Sequence, residues 1–345
     1  MGRSESAATA TAANRVVDKE DDVIRPPRLT LGLPVHDGER YLEGTLECLL
    51  GQTWGDFEIV VSDNASQDGT EQLCRGVAAR DRRVRYVRQP VNLGANGNFN
   101  AVARAASGEL FKWVAHDDLL DSRYLAEVVP LLENSPQAVL AQSQTVLIDE
   151  QGVPLAARGS RFVTPDGSLY EPPDGTGSDR RLTDPRPSVR FRDVLLNSRW
   201  CFDIFGVIRR PALLATGLQR GFYGTDKVVL AHLALQGTML HVAEPLFLRR
   251  CHPATSTNLG LWQKVRWSDP DALVPLPPVV HMVAGYLTAA GRAPLPLSER
   301  LDALRAVGVK AIQPDKLHKL LLPGPENYLG LTGPRRPSYR AREGP

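Results

Sequence analysis

From residue 28 to residue 148 the chain alternates short apolar runs with amphipathic stretches, and that alternation leaves few folds open. The runs Arg28–Val35, Phe57–Ser62, Val84–Val87 and Leu110–Val114 show little polar alternation, as expected of strands buried on both faces. Between them, Tyr41, Leu42, Leu46, Leu49 and Leu50 share one helical face, Leu73, Cys74 and Val77 a second, and Phe99, Val102 and Ala103 a third. A helix over Ser122–Leu132 and a strand over Ala138–Ile148 continue the series. Strands and helices of these lengths predict an α/β fold, a doubly wound, mostly parallel sheet with helices on both faces.

In such a sheet ligands bind beyond the carboxyl ends of the strands, so the polar residues at those ends carry the functional reading. The run Leu110–Leu120 is interrupted there by His116, Asp117 and Asp118. Two adjacent acids repel each other unless a cation or hydrogen-bond donor offsets them, and a divalent metal carrying a diphosphate would do so. A helix N-cap at Asp117, Asp118 or Asp121 is the competing local explanation. Asp63 closes the second strand on the same rim, placed either to accept a nucleobase N–H or a ribose hydroxyl, or to form an Asx-turn. A calcium loop over DNASQDG is excluded by Ala65 and Gln67 at ligand positions. Asn92, Gly94, Asn96 and Asn98 lie in an Asn- and Gly-rich loop over residues 88–100 before the third helix, where amides and a helix N-terminus together can hold a sugar or phosphate. Asp226 starts a later helix, as a cap or as a base facing a cleft, and His252 follows a strand beside Arg249 and Arg250. The chain has neither G-x-G-x-x-G nor G-x-x-x-x-G-K-[ST], which disfavours a dinucleotide dehydrogenase or P-loop NTPase.

After residue 148 the pattern changes. Residues 149–190 are dense in Gly, Pro, Asp and Arg with little periodicity, and a stretch that long is usually functional or disordered. A strand over Phe202–Ile208, a helix over Asp226–Leu235 and a strand over Met239–Arg249 follow, then helices over Val279–Ala290, Pro296–Val307 and Asp315–Leu322. The expected organisation is a disordered arm over 1–27, a catalytic domain over 28–257 (a nucleotide half over 28–150 and an acceptor half over 151–257), a helical C-terminal extension over 258–332 and a disordered basic tail over 333–345. A net charge of +2 over 345 residues gives no reason to expect nucleic acid as a partner. Four cysteines without C-x-x-C spacing suggest neither zinc nor a disulfide framework, and with no transmembrane run or signal peptide they point to a cytoplasmic protein. The C-terminal helices either pack on the catalytic domain or serve a dimer or peripheral membrane contact, and oligomeric state is left open.

Six pieces of the chain, in order, resemble the inverting family 2 glycosyltransferases of the GT-A fold. LPVHDGERYL, LLGQTWGDFEI and VVSDNASQDGT are similar to that family's opening, NLGANGNFN to its Asn/Gly stretch, and AHDD stands at its D-x-D motif. His36-Asp37 replaces the usual Tyr-Asn, and Ala115 replaces the first acid of D-x-D. The likeness is strong over 28–150 and weaker over 200–257, where GTDKVVLAHLAL and RRCHPATST match the catalytic-Asp and closing His segments. The resemblance implies a GT-A, Rossmann-like sheet and a nucleoside-diphosphate sugar donor, UDP-type favoured. It implies a nucleotide site of Pro34, Val35, Glu39, Asp63, Asn92, Gly94, Asn98 and Asp117, and Mg²⁺ or Mn²⁺ on Asp117, Asp118 and His252. It makes Asp226 the base that deprotonates the hydroxyl of a glycan, lipid or small-molecule acceptor, with Arg199, Trp200 and Tyr223 as acceptor contacts. A sugar-1-phosphate nucleotidyltransferase would need a Gly-rich basic loop after the first strand, which LPVHDGER does not supply. The missing acid at Ala115 prompts a degenerate nucleotide-sugar binder instead, against which the retained Asp226 and His252 argue.

Overall fold

The computed structural model describes residues 25–158, 161–163, 169–170, 180–198, 201–256, 259, 261–271 and 278–313. The expected helix Asp315–Leu322, the basic tail and most of the N-terminal arm lie outside the described residues. In chain order, β1 (Leu29–Val35), α1 (Glu39–Leu50), β2 (Phe57–Asp63), α2 (Thr70–Arg80), β3 (Val84–Arg88), α3 (Gly94–Ala105) and β4 (Leu110–Trp113) form the first half. There follow β5 (Leu119–Leu120), α4 (Tyr124–Glu133), β6 (Ala138–Ile148) and three short strands β7 (Ala157–Arg158), β8 (Arg161–Val163) and β9 (Leu169–Tyr170). The chain continues through α5 (Pro187–Asn197), a 3-10 turn at Phe202–Phe205, β10 (Val207–Arg209), α6 (Arg210–Ala215), α7 (Thr225–Gln236) and β11 (Thr238–Arg250). Helices α8 (Leu261–Ser268), α9 (Pro278–Arg292) and α10 (Leu297–Ala311) complete it.

The main sheet runs β3-β2-β1-β4-β10-β6-β11-β5, parallel except where β10 lies antiparallel between β4 and β6 and where β5 pairs antiparallel with β11. Side-chain alternation along the strands divides the core. Leu29, Leu31, Leu33 and Val35 pack with Leu42, Leu46, Cys74 and Leu125 on one face, and Phe111, Trp113 and Ile208 with Val102, Phe191 and Val229 on the other. The predicted two-sided winding is therefore present, and the register sets Val35 beside Asp63 and Asp63 beside Arg88 at the carboxyl rim.

Three expectations need correction. The stretch 88–100 is a loop only as far as Leu93, because α3 begins at Gly94, whose N–H is accepted by Asn92 Oδ1 at 2.8 Å, and the amides of Asn96, Asn98 and Asn100 find partners outside the helix. The segment Phe202–Ile208 is not one strand, since Phe202–Phe205 curls into a 3-10 turn and only Val207–Arg209 pairs. Buried polar side chains make the curl possible: Lys112 donates to Phe205 O and Gln142 Nε2 to Phe202 O at 3.1 Å, satisfying carbonyls that a strand would have paired. The 149–190 stretch is also less irregular than its composition implies, because it contains β7–β9 and the start of α5.

The C-terminal helices pack on the fold that precedes them. Helix α10 lies against α5, where Glu299 accepts the Ser188 N–H at 2.9 Å and pairs with Arg186 at 2.9 Å, serving the first turn of α5 from another helix. The Ser188 and Arg186 contacts, against a smaller cost of burial, hold the Glu299 carboxyl down at about 2. Ser268 and Pro270, at and just beyond the end of α8, cover Gly94, whose φ is +71° and where a Cβ would stand 2.7 Å from Ser268 O and 2.6 Å from Pro270 Cδ. Gly94→Ala should therefore lower unfolding free energy by about 2 kcal/mol. Gly76→Ala, in open space within α2, should raise it by about 0.5–1 kcal/mol. Urea unfolding of the two variants beside wild type measures both.

Candidate active site

The acidic turn after β4 is held at its backbone before its side chains are considered. Val114 N–H bonds Gly32 O at 2.9 Å, and the chain then turns away from the sheet. Thr45, fully buried on α1, sets its Oγ1 at 2.8 Å from His116 O and 3.1 Å from Asp118 O, while Arg250 Nε donates to Asp117 O at 2.8 Å. The carbonyls of His116, Asp117 and Asp118 are thus anchored by α1 and β11.

The two carboxylates are then treated differently. Asp118 is 1% exposed; its Oδ1 accepts from Arg249 Nη1 at 2.8 Å and from the Arg250 N–H at 3.0 Å, and its Oδ2 is buried with no donor. Asp117 places Oδ2 at 2.8 Å from His252 Nε2 and Oδ1 at 3.6 Å from Arg249 Nη1. Burial pushes Asp118 up to about 6, against the pull of Arg249. Burial opposes ionisation of Asp117 too, but the His252 hydrogen bond and the Arg249 charge hold it well below the carboxylate range. The Tyr41 ring lies 4.9 Å from the His252 ring, with the Arg250 guanidinium 4.9 Å from its centroid. Helical periodicity places Tyr41 on a core face, and the structure makes it a half-buried platform beside this site.

A divalent metal fits the donor set only in part. Among the described residues no group of three or more His, Cys, Asp or Glu gathers to hold an ion. Asp117 and His252 supply one hard oxygen and one imidazole nitrogen at close range. A cation between them would take its other ligands from substrate phosphates and water, the usual habit of Mg²⁺. Asp118 Oδ2 is an unused acceptor beside that pair, while its Oδ1 is committed to Arg249 and Arg250.

The nucleotide-half residues meet on the same rim, and several are engaged there by the protein itself. Asp63 is fully buried, its Oδ1 accepting the Ser66 N–H at 2.8 Å and its Oδ2 the Tyr86 hydroxyl and Arg88 Nη1, each at 2.7 Å. These donors outweigh burial and lower its pKa. Asn98 donates to Ser62 O at 2.9 Å and Val35 O at 3.2 Å, and Asn92 Oδ1 accepts the Gly94 N–H at 2.8 Å. Pro34 and Val35 lie inside β1, and Glu39 at the start of α1 accepts the Gly69 N–H at 3.0 Å.

On the acceptor side, Asp226 is the second residue of α7, after Gly224 at φ +89°. Its Oδ1 accepts the Lys227 N–H at 2.9 Å, and burial raises its pKa despite Lys227 and a hydrogen bond from the Cys201 thiol. Burial and the nearby Asp226 charge push Tyr223 up to about 12, and Lys264 Nζ stands 5.2 Å from the Tyr223 ring centroid. Arg199 and Trp200 lie outside the described residues. Cys201, Lys264 and Thr45 are additions that motif spacing does not reveal, because each acts through a contact distant in sequence.

Two measurements follow from these pairs. Arg249→Leu leaves two buried acids without their shared cation, and should cost about 3 kcal/mol of stability at neutral pH, read by urea unfolding. In the 3-10 turn, Asp203 pairs with His241 at 2.8 Å; burial opposes the charge of each, but the pairing raises the His241 pKa and lowers that of Asp203. The raised His241 pKa makes this contribution complete below the unfolded histidine value and lost as pH rises through the folded one. The melting temperature of Asp203→Asn should thus fall further below wild type at pH 6 than at pH 8.

Comparison with known proteins gives a consistent picture. Residues 30–179 match the family model described as glycosyl transferase family 2. A Campylobacter jejuni protein named GalNAc(5)-diNAcBac-PP-undecaprenol beta-1,3-glucosyltransferase is 23% identical over 208 residues, 60% of each chain. The Myxococcus xanthus O-antigen biosynthesis protein RfbC is 26% identical over 258 residues, 73% of this chain and 18% of that one. The chain therefore spans less than two thirds of the length of these curated relatives. The crystal structure of S. aureus TarS 1-349 in complex with UDP-GlcNAc shares the fold at a TM-score of 0.56 and 14% identity, covering 86% of this chain and 76% of that one.

Proposed function

We propose, from the match of residues 30–179 to the glycosyl transferase family 2 model, that this chain transfers a sugar from a nucleoside diphosphate, UDP-type favoured, to an acceptor hydroxyl with inversion. The observation that carries the proposal is the Asp117–His252 pair at 2.8 Å, beside Arg249 and on a turn braced from α1 and β11. Asp117 and His252 would hold Mg²⁺ or Mn²⁺, which when bound supplies positive charge against the leaving diphosphate. Asp118 braces the site through Oδ1, which is tied to Arg249 and to the Arg250 backbone, and its unused Oδ2 is the one oxygen it could offer the ion.

Asp226 takes the proton of the acceptor hydroxyl as that oxygen attacks the anomeric carbon and the bond to the diphosphate breaks. Burial raises the Asp226 pKa and brings it nearer to working pH, where a carboxylate is a more effective base. Tyr223 borders the acceptor side, where burial and the charge of the same acid raise its pKa. Asp63 and Asn98 act on the nucleotide pocket by fixing the rim through their internal bonds, and Arg88 is the cation that accompanies Asp63 there. The acceptor is a glycan, lipid or small-molecule hydroxyl. No helix among the described residues is long and apolar enough to cross a membrane.

The test is thermal stabilisation of the protein by UDP, GDP, dTDP and CDP, each with and without Mn²⁺. A ligand at a hundred times its dissociation constant adds about 2.7 kcal/mol of stability. The expected result is a UDP shift that requires metal and vanishes in Asp117→Ala, together with an Asp226→Asn variant that binds UDP within a few-fold of wild type and transfers no sugar. Absence of a shift with every nucleotide overturns the proposal. UDP binding without sugar transfer or donor hydrolysis selects a degenerate binder, the reading that Ala115 favours.

A further inference from the structure

Helix α3 carries asparagines at positions 96, 98 and 100, an expensive choice for a helix interior unless their amides are used. Asn98 is used toward β1 and β2. Asn96 and Asn100, one turn apart, reach in another direction. Asn96 Nδ2 donates to Arg220 O at 2.6 Å and to Phe222 O at 3.1 Å. Asn100 makes a reciprocal pair with Gln219, donating to its carbonyl at 2.7 Å and accepting its N–H at 2.9 Å. Both side chains belong to buried residues.

The backbone they grip is the loop that delivers Asp226. Between α6 and α7 it has no regular structure, and Gly217, Leu218 and Gly224 all have positive φ, at 80°, 63° and 89°. A leucine in that region is strained, and such strain persists only where the surroundings hold it. The staple is followed by one more bond, from Arg220 N–H to Thr225 Oγ1 at 2.8 Å, which ties the loop to the residue before Asp226. The N-terminus of α3, just before Asn96, also meets the donor rim, through the Gly94 N–H bond to Asn92 Oδ1 and the Asn64 Nδ2 bond to Asn92 Oδ1 at 2.9 Å. One twelve-residue helix therefore joins the nucleotide rim to the base-bearing loop.

We propose that Asn96 and Asn100 are positioning residues that set where Asp226 stands relative to the donor, and so govern turnover rather than nucleotide binding. This rests on the transferase reading above. The reason is geometric: a base misplaced by about 1 Å loses on the order of a hundred-fold in rate, while a nucleotide held on the opposite side of α3 keeps its contacts.

The experiment uses the full chain with UDP-glucose and UDP-N-acetylglucosamine as probes, each with Mn²⁺, following UDP release. UDP affinity is measured by calorimetry, and hydrogen exchange is followed across residues 217–224. In Asn96→Ala and Asn100→Ala, UDP release should slow by about 10- to 100-fold, the UDP dissociation constant should stay within a few-fold of wild type, and exchange should speed up within 217–224 alone. Asn100→Asp keeps the acceptor for the Gln219 N–H and loses the donor, so it should fall between wild type and Asn100→Ala; it also serves if an alanine variant does not fold. Wild-type turnover in the variants, unchanged exchange in the loop, or a parallel loss of UDP affinity and rate overturns the proposal. A wild type that binds UDP but releases none from either sugar overturns the transferase reading and takes this one with it, an outcome distinct from active wild type with equally active variants.

Discussion

Two carboxylates on successive residues, both withdrawn from water, cannot remain charged together without a cation between them, and Arg249 is that cation. Its guanidinium meets Asp118 at 2.8 Å and Asp117 at 3.6 Å, so the turn after β4 depends on the last residues of β11, 131 positions later in sequence. Arg250 adds a bond to the Asp117 carbonyl, and Thr45 holds the neighbouring carbonyls from below. The division of labour between the acids follows from this: Asp118 spends an oxygen on the brace and rises to about 6, while Asp117 remains ionised beside His252. A buried ion pair of this kind adds little net stability over an apolar replacement, but it defines one arrangement of strand ends.

The rest of the rim follows the same economy. Polar residues that motif reading assigns to a ligand are spent on fixing backbone at the strand ends: Asp63 on Ser66, Tyr86 and Arg88, Asn98 on Val35 and Ser62, and Asn92 on Gly94. A pocket at the edge of a parallel sheet is made of loops, and loops have few backbone partners of their own. Side chains that satisfy those loops are thus as necessary to binding as the groups that touch a ligand.

How much of this was legible in the sequence depends on the range of the interaction. Periodicity of two and of three to four residues located β1 to β4, α1 and α2 within a few positions, because burial on a sheet or helix face is a local pattern, but it missed the Asn- and Gly-rich first turns of α3 from Gly94. It failed at Phe202–Ile208, where an apolar run looks like a strand and the deciding partners, Lys112 and Gln142, come from β4 and β6. The cluster of Asp117, Asp118 and His252 was recognisable by its residue types, yet Arg249 as the cation between the acids was not. Nothing local distinguishes an arginine that stabilises a phosphate from one that stabilises a neighbouring turn. Tyr41 shows the same limit: spacing assigned it to a core face, and its aromatic body indeed packs, but against His252 and Arg250.

The closure over Gly94 has a bearing on how this molecule can be altered. Ser268 and Pro270 press on Gly94, and Asp269 lies where a Cβ on Gly221 would come within 2.3 Å of its carboxylate. The short segment after α8 thus rests on the first residue of the donor-side helix and on the loop leading to Asp226 at once. It also lies beyond residues 30–179, the span that the family model matches. The matched span and the segment after α8 are consequently in direct contact. Grafting the first onto a foreign C-terminal region would exchange a wall of the working cleft, and substitutions accumulating in either part are constrained by the other across this contact.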